Sequence, residues 1–448
     1  LFTRYARIAA PLPGAPGNTA WLGRIHLMDG EGQGQGMFIG AGGDEFCHPA
    51  WAPDGSAVYF SSSYASARSS FLMDIFRADL RTGVVQRITG AEWSAGPVKG
   101  FGRLAVVVDT GTAGIDDYFG ILDPKNEIKI TYNGANGKIF HLTQNLQDRK
   151  GNDIKYRWVA FIDHVPAGHI WVRAWRNKHI GGLVSPVVVV EGKTSDVQID
   201  LSSGNFLAHY PSVSPDGRYL VFRQGVAYYR RPAANAFGSD KIAEDGYDTM
   251  AVLDMQAPLR TLLAQWDAAR MGGKAVDPRI SPDGRTIAFS YGLTPTESIA
   301  VCSLESLVAN QPRARVVAQG GRQLGNTLGH MHAAWSPDGR RLAFCRYMQV
   351  TEAWGTLFGG NLFVCNADGS GLRQVTQVGA NQFPVWPTWS PDGRRIAFAL
   401  LTAKGQRFEM LDLLPGRATS NIWTIGADGS DPRQLTQDGL SCEPAWGK

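Results

Sequence analysis

Residues 389–398 read WSPDGRRIAF, and this short unit constrains the chain more than any other feature. Ser390-Pro391-Asp392-Gly393 has the chemistry of a tight turn. Ser suits the first position, Pro presets φ at the second and Gly suits the last. Arg395-Ile396-Ala397-Phe398 then alternates polar and apolar residues as a half-buried strand does. The unit is a β-hairpin, and it recurs. Residues 335–344 read WSPDGRRLAF, 280–289 ISPDGRTIAF, 213–222 VSPDGRYLVF and 51–60 WAPDGSAVYF. A degenerate copy without the turn runs from Pro97 through Arg103-Leu104-Ala105-Val106-Val107, and Glu443-Pro444-Ala445-Trp446 opens one more copy. Unrelated turns would not share their flanking strands, so the chain is a repeat protein.

A second hairpin follows most copies. Asn361-Leu362-Phe363-Val364 leads through Ala367-Asp368-Gly369-Ser370 to Arg373-Gln374-Val375-Thr376-Gln377. Asn421-Ile422-Trp423-Thr424-Ile425 leads through Ala427-Asp428-Gly429-Ser430 to Arg433-Gln434-Leu435-Thr436-Gln437. Two hairpins per repeat give four strands per repeat, which is the blade of a β-propeller. The SPDG turn, the ADGS turn and the terminal Gln-Leu-Thr-Gln resemble the TolB-type (WD40-like) propeller repeats of bacterial envelope proteins. The resemblance covers most of the chain outside 124–204 and is specific for fold.

The expected fold is therefore all-β. Inner strands at Pro49, Pro97, Pro211, Pro278, Ala333, Pro387 and Pro444 predict a seven-bladed propeller, or a six-bladed one without the Pro97 copy. Phe2 to Ile8, Arg24 to Asp29 and Gly36 to Gly40 read as outer strands that lack an inner one. Cys442 to Trp446 supplies it, so strands from both ends close the ring. Residues 1–123 and 205–448 form the two parts of the propeller. Residues 124–204 contain several strands but no SPDG turn, and read as an inserted β-sandwich-like module. A helical stretch is expected over 258–271.

Composition narrows the function. The net charge of +4 is too mild to imply nucleic acid. No apolar run approaches the length of a membrane span. There is no G-x-S-x-G and no CxxC or CxxCH spacing, which sets aside a serine-hydrolase elbow, a cysteine zinc cluster and c-type haem attachment. The chain opens on Leu1 rather than Met and shows no signal peptide. The resemblance implies an extracytoplasmic, periplasmic location and protein partners in a larger, membrane-associated complex.

Long segments on one face are the candidate partner-binding loops, carrying Tyr64, Tyr228, Tyr229, Arg230, Arg231, Phe237, Tyr347, Trp354, Phe358, Arg407 and Phe408. Aligning the repeats puts His48, Tyr210, Asp277, His332, Trp386 and Glu443 at one position, where the side chain faces the central channel. His330 lies two residues before His332, and on an extended strand both imidazoles would share a side. His48, Asp277, His330, His332 and Glu443 are thus candidates for a polar channel mouth, with no cofactor, or for a single divalent metal site holding Ca, Mn or Zn. His330-Met331-His332 ahead of Trp335-Ser336-Pro337-Asp338 is similar to the metal-binding run of oligogalacturonate lyases, which use an SPDG-repeat propeller. That resemblance implies a metal-dependent lyase as the alternative to a non-enzymatic scaffold. Cys47 and Cys442 fall at nearly equivalent positions of neighbouring inner strands, where a disulfide would tie the termini. Cys345 with Cys365 is the competing pair, and buried thiols throughout are the simplest reading.

Overall fold

The computed structural model describes residues 1–8, 20–40, 46–62, 73–89, 100–109, 128–132, 135–140, 157–176, 180–200, 205–229, 242–243, 249–256, 262–266, 273–292, 296–323, 326–352, 355–406, 408–409 and 418–447. Its repeating element is a four-stranded antiparallel meander. The first runs Phe46–Trp51, Ala57–Ser62, Asp74–Asp79, Val85–Arg87. The second starts at Asn205–Val213, the third at Lys274–Ile280, the fourth at Asn326–Trp335 and the fifth at Gln382–Trp389. A sixth sheet is assembled from both ends of the chain, in the order Ser441–Cys442, Phe2–Ile8, Ala20–Leu27, Gly36–Ile39.

The repeated sequence explains the repeated structure. In the fourth sheet Ser336 N donates to Arg341 O (2.9 Å), Gly339 N to Ser336 O (2.9 Å) and Arg341 N to Ser336 Oγ (2.9 Å). The Ser336 hydroxyl donates in turn to Asp338 Oδ1 at 2.5 Å. Gly339 takes φ +68°, a conformation that Gly adopts without a Cβ clash. The same hydroxyl-to-carboxylate bond joins Ser214 to Asp216, Ser281 to Asp283 and Ser390 to Asp392. Ser336→Ala removes both roles of a buried hydroxyl. We expect a loss of about 1–2 kcal/mol in urea denaturation, and an unchanged midpoint would deny the hydroxyl that part.

The second hairpin ends on a buried threonine for a similar reason. Thr376 Oγ1 accepts Leu362 N at 2.9 Å and Thr436 Oγ1 accepts Ile422 N at 2.8 Å. Each satisfies a backbone donor that the short last strand leaves over. The Trp that opens the motif ties one sheet to the one before it. Trp389 Nε1 donates to Ala334 O (3.1 Å), Trp335 Nε1 to Arg279 O (3.0 Å) and Trp51 Nε1 to Ala445 O (3.1 Å).

The core lies between consecutive sheets. Ala288, Ile299 and Val301 pack with Ala333, Leu342 and Phe344, and the other clusters repeat this between neighbouring pairs. Each inner strand packs on the preceding sheet: Asn205–Val213 on the Phe46–Trp51 sheet, then Lys274–Ile280, Asn326–Trp335 and Gln382–Trp389 in turn. Ser441–Cys442 packs on Arg395–Thr402, and Phe2–Ile8 packs on Phe46–Trp51, so the contacts return to their start.

Three expectations change. Phe101–Asp109, the strand of the degenerate copy, does not open a meander. It lies in a three-stranded sheet, antiparallel to Arg157–Pro166 and parallel to Thr194–Asp200. Without a turn motif nothing folds it onto the strand that follows. A separate four-stranded sheet holds Ala135–Phe140, Ile128–Tyr132, Gly168–Arg176 and Ile180–Val189. Second, Leu262–Gln265, within the stretch expected to be helical, is a strand paired with Thr249–Asp254. Sheet completion outweighs helix propensity there. Third, the segment that carries Tyr347 and Phe358, expected to be a loop, is largely regular structure. Arg341–Glu352 and Gly355–Asn366 stay paired throughout as one long hairpin.

Candidate functional site

Each inner strand carries one residue in the left-handed region, and these are the six that the repeats align: His48 (φ 51°), Tyr210 (54°), Asp277 (54°), His332 (56°), Trp386 (51°) and Glu443 (51°). Positive φ is uncommon outside Gly and is an outlier for bulky Tyr and Trp. In five of the sheets a register shift in the inner pair falls at this point, for example between Cys47 and Ala50 and between Met331 and Ala334. A bulge here re-aims one side chain per strand. All of these positions except Asp277 line a single cavity of about 380 Å³, which runs down to the prolines of the SPDG turns, Pro53, Pro215 and Pro282.

The ring is a chain of contacts. Glu443 Oε1 lies 3.1 Å from His48 Nε2. Glu443 Oε2 accepts the His48 backbone N–H and the Thr3 hydroxyl, both at 2.8 Å. Burial alone would raise this carboxyl, but the His48 imidazole and these bonds prevail and hold it below the ordinary value. The rings of His48 and Tyr210 stand 4.0 Å apart. Asp277 is met by His332 Nε2 at 3.5 Å and by Arg223 Nη1 at 3.4 Å. Burial pushes His332 down to about 4, so it is neutral at physiological pH. His332 and Trp386 have ring centroids 5.3 Å apart, and His332 Nδ1 and Trp386 Nε1 are buried without a hydrogen-bond partner. The ring therefore contains two buried polar atoms beside carboxylates that are already paired.

His330 is not part of it. Its imidazole is buried in the sheet, with Nδ1 3.3 Å from Glu297 O and the ring edge-on to Phe344. The left-handed turn at His332 breaks strand alternation, so the two histidines part company. The five candidate ligands thus resolve into two separate pairs, His48–Glu443 and Asp277–His332.

Sequence reasoning missed Arg279, whose guanidinium lines the cavity and donates to Pro278 O at 3.0 Å. It also missed His209, Nδ1 of which lies 3.0 Å from His48 Nδ1. Arg279 sits two residues beyond the aligned position, a signal the repeats do contain. His209 has no counterpart in the other copies.

Of the loop candidates, Tyr347 and Phe408 are corrected. Both are buried, with 1% and 0% exposure, and Tyr347 donates its hydroxyl proton to Glu297 Oε2. Extending the hairpin turned them inward as core. Tyr228 and Tyr229 lie in a strand paired with Ile242–Ala243, and Phe358 lies in one paired with Phe408–Glu409. Tyr64, Arg230, Arg231, Phe237, Trp354 and Arg407 lie outside the described residues. The Cys47–Cys442 disulfide is not formed, and neither is Cys345–Cys365: all five cysteines are buried thiols. Cys345 pairs across the sheet with Leu362 and Cys365 with Leu342, which separates their sulfurs.

No family model matches the chain. Over 118 residues it is 38% identical to the Tol-Pal system protein TolB of Anaeromyxobacter dehalogenans. That alignment covers 26% of this chain and 21% of the relative, so the chain matches about a fifth of that protein's length. Among solved structures, TolB from Acinetobacter baumannii aligns over 99% of this chain and 66% of its own, at 12% identity and a TM-score of 0.45. An oligogalacturonate lyase in complex with manganese aligns over 98% of this chain and 88% of its own, at 12% identity and a TM-score of 0.35. Over those 118 residues the chain is similar to TolB. Among the described residues no helix is long and apolar enough to cross a membrane.

Proposed function

We propose that this chain is a six-bladed, TolB-like propeller that binds a protein partner in an extracytoplasmic assembly, using the ringed mouth of its axial cavity. The blade count rests on the six meanders, on the six left-handed residues and on the contacts that lead from each sheet to the next. The strands between 101 and 200 are then a module added between the first and second blades, in place of the 124–204 insert. Relatedness to a Tol-Pal system protein over 118 residues supports the setting.

The observation that carries the reading is the state of the ring. Glu443 is engaged by His48 and Thr3, and Asp277 by His332 and Arg223, so neither carboxylate stands free to take a proton. What lines the cavity of about 380 Å³ is a ring of polar and aromatic side chains, His48, Tyr210, His332, Trp386 and Glu443. Such a site suits a short polar segment of a partner.

The second reading is an oligogalacturonate-type lyase with an axial divalent metal. It is favoured by one observation, the Asp277–His332 pair with His332 Nδ1 unpartnered. A metal held there by His332 and Asp277 would bind a substrate carboxylate and acidify the adjacent C–H. His330, turned into the sheet, leaves that set short of ligands.

The two readings part in one experiment. A photo-crosslinking residue in place of Thr388, which lines the cavity, should trap a discrete envelope protein, and the same residue in place of exposed Arg340 should not. Equal trapping at both positions would refute the mouth as the binding site. Manganese-dependent release of unsaturated product from oligogalacturonate, lost in His332→Ala, would replace the binding reading with the lyase.

A further inference from the structure

Beside the mouth, where the first two meanders meet, four metal-binding side chains converge. Cys47 Sγ lies 3.1 Å from His48 Nδ1, and His48 Nδ1 lies 3.0 Å from His209 Nδ1. These three ligand atoms all fall within 4.8 Å of one another. The thioether of buried Met73 stands 3.8 Å from Cys47 Sγ. We propose that Cys47, His48 and His209, with Met73 as a weaker fourth ligand, form a binding site for a soft d¹⁰ metal ion, copper(I) in preference to zinc(II). This site is distinct from an axial Asp277–His332 metal and stands independently of the function proposed above.

Geometry is the first argument. Tetrahedral bonds of about 2.0–2.1 Å to imidazole nitrogen and 2.3 Å to thiolate sulfur put ligand atoms about 3.3–3.8 Å apart. Of those edges, His48–His209 at 3.0 Å and Cys47–His48 at 3.1 Å fall slightly short of the range, and Cys47–Met73 at 3.8 Å lies at its upper end. Tautomers are the second. His48 Nε2 faces Glu443 Oε1 at 3.1 Å, and a carboxylate there requires an N–H. The Nδ1 lone pair of His48 is therefore aimed into the cluster. This is the carboxylate–histidine–metal relay that orients ligating imidazoles. His209 faces the same point through its own Nδ1. Without metal, His209 Nδ1–H donates to His48 Nδ1. With metal, the His209 proton moves from Nδ1 to Nε2 through exchange with solvent, and the Cys47 thiol releases one proton to solvent.

Ligand softness is the third argument. A thiolate with a thioether selects copper(I), and two imidazoles are compatible with it. Access is through the axial cavity, which His48 lines. None of the other four thiols belongs to such a three-ligand group among the described residues.

The test is a competition titration of the intact, reduced protein with copper(I) held by bicinchoninate, and separately with zinc(II). One copper(I) per chain is expected, with a raised Tm and release of about one proton. His209→Gln and Cys47→Ser should each weaken binding at least about tenfold, as should Glu443→Gln through its hold on His48. Cys302→Ser, in another sheet, should bind like the parent. X-ray absorption of the loaded parent should show mixed sulfur and nitrogen scatterers, and this reading does not depend on any variant folding. Stoichiometric binding that survives both His209→Gln and Cys47→Ser, or scatterers of nitrogen and oxygen alone, would overturn the site. Binding of zinc(II) with none of copper(I) would overturn the choice of metal.

Discussion

Acidification alone should unfold this protein well before its surface carboxylates are all protonated. The stability should fall steeply between pH 6.5 and pH 4, measured as urea midpoints across that range. The cause is three buried imidazoles. Burial pushes His330 and His332 from 6.5 down to about 4, and His209 lies far below its ordinary value for the same reason. In the unfolded chain they take up protons first as pH falls below 6.5, so protons favour the unfolded state. The contribution is fully present above pH 6.5 and is lost as pH falls through the folded values. A displacement from 6.5 to about 4 is worth about 3 kcal/mol per imidazole. Two such groups would consume a large share of the net stability of an ordinary domain. Glu443 adds to the loss lower still, because its folded pKa is depressed and its stabilisation disappears as pH falls through that value. His330→Gln should flatten the profile, since His330 sits in the sheet against Phe344 and takes no part in the ring. A profile equally steep in that variant, or flat in the parent, would show that burial of these imidazoles does not govern acid stability.

Trp389→Ala should be the most damaging single substitution in the repeat framework. Its indole is 5% exposed and packs within the largest apolar cluster. Its Nε1 donates to Ala334 O on the preceding inner strand, and the Arg341 guanidinium lies over its ring, 4.6 Å from the centroid. Truncation opens a cavity between two sheets and leaves a buried carbonyl without that donor. Removing a buried Trp typically costs about 3–5 kcal/mol, and the lost hydrogen bond is included in that figure. Trp389→Phe keeps most of the packing and loses the donor, so about 1–2 kcal/mol is expected for it. Urea denaturation of both variants decides the matter. A change under about 1 kcal/mol in Trp389→Ala would mean that the Trp does not tie neighbouring sheets together.

Repeats made much of this molecule legible. The SPDG and ADGS turns are built from contiguous residues, and their hydrogen bonds span only two to five positions, as from Ser336 to Asp338 and to Arg341. Chemistry that local is written in the sequence, so the hairpins and the joining of Ser441–Cys442 to the N-terminal strands were readable. Aligning the copies also picked out six equivalent positions, and all six share one left-handed backbone geometry. Tertiary structure decided the rest. The left-handed residue in each inner strand breaks the two-residue alternation, so His330 turned away from His332, against the expectation from an extended strand. Tyr347 became core because its hairpin grew longer than the repeat requires, and Phe408 because its own strand pairs with that hairpin. The pairings at the mouth, Glu443 with His48 and His48 with His209, join residues 395 and 161 positions apart. No local pattern encodes such contacts. They follow from which sheets become neighbours, and that is set by burial of apolar faces summed over the whole chain.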